Sequence, residues 1–127
     1  MKTPRILIVE YDPAFRERLS KYLRDCFKGE VVTLFDGREA LLRVEQEAFD
    51  LIFTNLMLPG ANGIMILNAA RKRDPKPVVF VIASIDYDYF AMERIITQGG
   101  IFMHGSADLR WIRTSMAEVF ETKETQI

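Results

Sequence analysis

The sequence predicts an α/β domain built on one doubly wound, five-stranded parallel sheet with five helices. Three observations carry that expectation. Five short apolar runs alternate with five stretches of helical periodicity. The runs are continuously hydrophobic, as strands covered on both faces are, and do not alternate in the manner of a half-exposed sheet. Turn-forming pairs (Asp12-Pro13, Asp36-Gly37, Pro59-Gly60, Asn62-Gly63, Gly99-Gly100) separate strand from helix. Strict strand–helix alternation calls for right-handed crossovers, and 2-1-3-4-5 is the natural strand order for five such units.

The elements follow in order. Residues 5–10 (RILIVE) form a first strand. Asp12 suits an N-cap and Pro13 the first helical position. The helix then runs to about Asp25, with Phe15, Leu19, Tyr22, Leu23 and Cys26 on one face, and Lys28-Gly29 ends it. Residues 30–35 (EVVTLF) are a second strand, and 38–46 a helix with Ala40, Leu41 and Val44 inward. Leu51 to Asn55 is the third strand and 64–73 a helix, closed by Arg71, Lys72 and Arg73, where cations suit the helix dipole. Residues 78–83 (VVFVIA) are a fourth buried strand. Ser84 or Asp86 caps a helix from Tyr87 to Gln98; Ile101 to Met103 is a short fifth strand, followed by a His104-Gly105-Ser106 loop. A last helix spans 108–120, with Leu109, Ile112, Met116, Val119 and Phe120 on one side. The expected domain is 1–121, and 122–127 a polar, frayed tail.

Composition bounds the function. The chain has 127 residues, 49% hydrophobic and 28% charged, with a net charge of −1 and a pI near 5.9. That suits one soluble domain without a positive field to attract nucleic acid or an anionic membrane. The lone Cys26 excludes an internal disulfide and any multi-cysteine metal site; it is expected to be a buried structural thiol. No apolar run approaches ~18 residues, and Lys2 and Arg5 flank no secretory h-region. A cytoplasmic protein is expected, contacting neither membrane nor nucleic acid. A hydrolase has little material to work with: there is no G-x-S-x-G elbow, and only one histidine.

The chain is organised around residues 48–64, AFDLIFTNLMLPGANGI. Asn55 sits there at the carboxyl end of a buried strand, at the mouth of the loop leading to the next helix. Ligands of open α/β sheets bind at that edge. This stretch, together with ILIVE-Y-DP and PVVFVIA in the same order and spacing, resembles the receiver domains of two-component response regulators, which share the flavodoxin-like fold. The resemblance covers essentially the whole chain and implies a bacterial setting.

In a working receiver a carboxylate takes a phosphoryl group, Mg²⁺ neutralises its oxygens, and a hydroxyl and a lysine hold the product. Carried over residue by residue, the resemblance implies a degenerate site. Asn55 stands at the phosphoacceptor aspartate. Glu10 keeps one of the two acids that end the first strand, and Tyr11 replaces the other, the direct metal ligand. Met57 keeps its backbone carbonyl. Asp12 is a poor substitute ligand, being committed to its cap. The hydroxyl position aligns with Ile82, and Ser84 lies two residues beyond it. His104 replaces the lysine, Gly105 the proline after it, and Ile101 the aromatic switch residue. Mg²⁺ binding is expected to be lost or weak. Asn55 could donate its amide to Glu10, and His104 could pair with it, satisfying the site without metal or phosphate.

The expected role is protein binding: a pseudo-receiver, phosphorylation-independent, that docks a partner or a second copy. The expected face lies between the fourth helix and the fifth, with Tyr87, Tyr89, Phe90 and Trp111 foremost and Met92, Ile96, Met103 and Met116 around them. Two alternatives stay open. The chain could take phosphate by an unusual route through Glu10, Asp12 or His104. It could also sense a small ligand in the same crevice, although the acids after the first strand would repel phosphate.

Overall fold

The computed structural model describes residues 3–83, 89–105 and 108–125, with side chains up to residue 117. Ten elements alternate without exception: β1 (Arg5–Val9), α1 (Pro13–Phe27), β2 (Glu30–Leu34), α2 (Gly37–Gln46), β3 (Leu51–Asn55), α3 (Gly63–Arg71), β4 (Val78–Ala83), α4 (Tyr89–Thr97), β5 (Ile101–His104) and α5 (Leu109–Thr125). The strands form one sheet in the order β2-β1-β3-β4-β5. Every pairing is parallel.

Side chains leave a strand on alternate faces, so each strand feeds two cores. Leu7, Val9, Ile52, Val79 and Val81 pack with Ala40 and Val44 of α2, Ile66 and Leu67 of α3, and Ile95 of α4. Ile6, Ile8, Phe53, Phe80, Ile82 and Met103 pack with Phe15, Leu19 and Leu23 of α1 and with Ile112 and Met116 of α5. Phe53 and Phe80 are stacked, with ring centroids 4.6 Å apart. The edge of Trp111 meets Phe80 at 6.0 Å. Double-sided coverage explains why the strands read as unbroken apolar runs.

Three side chains cap the helices that begin at the carboxyl edge of the sheet. Asp12 accepts from Ala14 N at 3.1 Å, Asp36 from Arg38 N at 2.8 Å, and Asn62 from Met65 N at 3.0 Å. Each satisfies an amide that the first helical turn leaves without a partner. Gly37 brings two loops together. Its N–H donates to Pro59 O at 2.9 Å, and a Cβ there would lie 1.9 Å from the Ala61 carbonyl oxygen. Only glycine admits that approach, which ties the start of α2 to the loop after β3.

Several expectations need correction. Strand β2 stops at Leu34, and Phe35, expected within it, is exposed. His104 is the last residue of β5, not a loop residue. Cys26 is half-buried, not buried; it lies in the last turn of α1, one turn on from Tyr22. Helix α5 continues through Thr125, so residues 122–125 are helical where a frayed tail was expected. Ser84, Asp86 and Tyr87 lie outside the described residues. Met103 and Met116 belong to the core, not to a partner face.

Candidate functional site

The carboxyl ends of β1, β3, β4 and β5 converge on one edge. Val9 is level with Thr54, and Asn55 with Ile82. Ile82 pairs in turn with Met103, and Ala83 with His104. The topology thereby gathers Glu10, Asn55, Ile82 and His104 from four separate parts of the sequence. Tyr11, Asp12 and Met57 stand on the loops just above.

At the centre, the Asn55 side-chain amide serves two partners. Its Oδ1 accepts from the Tyr11 backbone N–H at 2.9 Å, and its NH₂ group donates to the Glu10 carboxylate. Glu10 is only 6% exposed. Burial pushes its carboxyl group above the ordinary glutamate range, against the smaller opposing pull of the Asp12 amide, the Asn55 side chain and the Tyr11 amide. Asn55 supplies a hydrogen bond to this buried acid where an aspartate would supply a second negative charge.

That burial has a pH signature. The folded chain holds the Glu10 proton more tightly than the unfolded chain does. The associated stability is fully present below an unfolded glutamate pKa of about 4.3 and is lost as pH rises through the higher folded value. A Glu10→Gln variant carries no such titration. Its stability relative to wild type is expected to increase as pH rises across that window, read as urea midpoints at several pH values. A difference that stays flat with pH would contradict the shift.

The remaining positions divide by exposure. Tyr11 is 63% and Met57 79% exposed, so the mouth of the site carries apolar surface. Asp12 is held as the α1 cap. Ile82 is buried and places aliphatic carbon beside Asn55. His104 is half-buried at the end of β5, and Ile101, at the switch position, is half-buried at its start. Among the described residues no group of three His, Cys, Asp or Glu gathers in a way that could hold a metal ion.

Sequence reasoning missed Arg16. Its Nη1 donates to the Glu10 carbonyl at 2.9 Å, and its guanidinium lies over the Phe35 ring at 5.4 Å. The only available signal was its position one turn into α1, four residues after the cap. Arg16 fixes the backbone of the residue that presents the buried carboxylate, and Phe35 holds Arg16 in place.

This geometry can be set against known proteins. Residues 6–101 match the response regulator receiver domain family. The chain belongs to that family. Among characterised relatives, the receiver is 39% identical over 82 residues to the transcriptional activator protein PfeR of Pseudomonas aeruginosa, covering 64% of this chain and 26% of that one. It is 38% identical over 84 residues to the transcriptional regulatory protein BaeR of Escherichia coli, covering 66% and 35%. The receiver thus spans about a quarter to a third of the length of these curated relatives. Among solved structures, the receiver domain of AraT, a response regulator from Geobacillus stearothermophilus, superposes with a TM-score of 0.82 at 26% identity, covering 98% of both chains. The signal receiver domain of a putative Luxo repressor protein from Vibrio parahaemolyticus shares the fold, with a TM-score of 0.82 at 21% identity over 97% of this chain and 94% of that one. Receivers act in two-component signalling as modules that contact protein partners. No helix among the described residues is long and apolar enough to cross a membrane.

Proposed function

We propose that this receiver signals without phosphoryl transfer, as a cytoplasmic protein-binding module whose site is held in one state by its own side chains. The observation that carries the reading is the Asn55 amide, which accepts from Tyr11 N–H and donates to Glu10. An amide nitrogen is no nucleophile, so the residue at the phosphoacceptor position offers no lone pair for attack on phosphorus. The donor set does not fit Mg²⁺ either. That ion needs hard oxygen ligands in near-octahedral array, anchored by one or two carboxylates. Here one carboxylate is buried and already hydrogen-bonded, and a tyrosine stands where the second would be. Its partner face would be the α4-β5-α5 surface, where Tyr89, Phe90, Ile96 and Trp111 are exposed and aromatic residues favour contact.

Amide NMR with Mg²⁺ and beryllofluoride, a mimic of an acyl phosphate, tests the reading. Resonances of Glu10, Asn55 and His104 are expected to stay in place. Saturable shifts there would overturn it in favour of phosphate uptake by an unusual route.

A further inference from the structure

Helix α4 has few attachments of its own. Ile95 is its single buried residue, while Tyr89, Phe90 and Ile96 face solvent. Residues 95–97 are Ile-Ile-Thr, β-branched and weak helix formers. The Thr97 hydroxyl donates to the Glu93 carbonyl at 2.6 Å, a side-chain bond that competes with the helical ladder. The carboxyl end is held differently. It closes in a Schellman turn, where Gly100 N–H donates to Ile95 O at 2.8 Å and Gly99 N–H to Ile96 O at 3.0 Å, with Gly99 at φ +87°.

Two side chains of α3, one helical turn apart, press on that turn. A Cβ on Gly100 would lie 2.9 Å from Leu67 Cδ2, and a Cβ on Gly99 would lie 2.9, 3.0 and 3.1 Å from Arg71 Cζ, Nη1 and Nε. Three guanidinium atoms at nearly one distance mean that the planar group lies flat across Gly99. Arg71 makes no ion pair among the described residues, so its charge is uncommitted. It is the last residue of α3 and stands over the last turn of α4. Unpaired carbonyls gather at both helix ends, and a cation there suits both macrodipoles. Inside the same turn, Gln98 Oε1 is buried with no hydrogen-bond partner among the described residues, a penalty that packing must offset.

We propose that Arg71 is the latch of α4. It is a positioning residue whose guanidinium, laid on Gly99, pins the carboxyl end of α4 to α3 and sets how firmly that helix is held. Leu67 is wholly buried and serves the core as well, so its removal would disturb far more than α4. Arg71 is exposed, and its removal frees the turn without emptying the core. The latch sits where β5 begins, at the opposite edge of the sheet from Asn55, so it works whatever the Asn55 crevice does. Its bearing on binding rests on the proposed partner face, because α4 carries Tyr89, Phe90 and Ile96; a surface held in place loses less freedom when a partner covers it. The latch itself needs no partner to be observed.

Relaxation-dispersion NMR on the full chain, without a partner, tests it. Such measurements detect a minor state exchanging on the μs–ms scale. In Arg71→Gln the population of a state with α4 detached is expected to rise about threefold or more over wild type, with the exchange confined to amides of residues 90–100 and absent from those of β1 and β3. Lys76→Gln removes an exposed cation nearby in sequence and is expected to match wild type. Both positions are exposed, and each variant's own spectrum confirms its fold. Three results would overturn the proposal: no added exchange in Arg71→Gln, even with a lowered urea midpoint, which would make Arg71 a contributor to global stability alone; exchange spread equally over the sheet; and an equal effect from Lys76→Gln, which would mean that net charge and not the Gly99 contact matters.

Discussion

Phe53→Ala is expected to destabilise the receiver by about 3–5 kcal/mol, a fall in Tm of roughly 10–20 °C for a domain of this size. Phe53 sits on β3, the middle strand of the five, and is wholly buried. Its ring stacks on Phe80 at 4.6 Å, and Phe80 in turn carries the edge of Trp111. Truncation removes one ring and leaves a void that rigid neighbours on a five-stranded sheet cannot close. Urea unfolding measures the loss. A value below about 1.5 kcal/mol, the range of volume-conserving swaps, would show that the two helices over this face can collapse into the space.

Asn55→Asp is expected to destabilise the chain by about 2–4 kcal/mol at neutral pH, the range for leaving buried charges unpaired. The substitution keeps the shape and the acceptor toward Tyr11 N–H. It removes the donor to Glu10 and sets a second negative charge beside a buried one. Two adjacent carboxylates cannot both ionise cheaply, so the pair takes up protons at higher pH than either acid alone. The lost stability should therefore return as pH falls through the raised values, giving the variant a steeper pH dependence than wild type. Added Mg²⁺ should restore little, because Tyr11 still occupies the position of the second acid. Full restoration by Mg²⁺ would mean that a metal site survives in all but one residue, and the proposed loss of phosphotransfer would then rest on Asn55 alone.

The sheet was legible because its strands are buried on both faces. Residues 78–83, apolar throughout, could be placed to the residue; alternation announced the parallel sheet, and the flavodoxin-like order was the natural choice for it. The cap at Asp12 was equally plain, since Asp-Pro announces a helix start, whereas Asp36-Gly37 read only as a turn and proved to be the start of α2, with Asp36 as its cap. Element ends were less clear. Phe35 has the composition of a strand residue, yet it leaves the sheet to shield Arg16, a contact with no periodic signature. Helix α5 outruns its apolar face, because an amphipathic stripe marks where a helix packs and not where it stops. At the site, Asn55, Glu10 and Tyr11 could be placed from local spacing, and the amide between Asn55 and Glu10 was anticipated from their chemistry. Arg16 was not, because its role is a backbone contact to Glu10, and side-chain patterns do not encode contacts to a carbonyl.

The chain has a single tryptophan, Trp111. One edge of its ring touches the stacked phenylalanines, while 39% of the residue faces solvent. It lies on α5, the helix that borders the proposed partner surface. Its emission therefore samples the interior and the outside together. A red shift would report loosening of the aromatic stack, and a blue shift would report a partner covering the outer half. This receiver has its own optical probe, already placed at the surface where docking is to be measured, with no label attached.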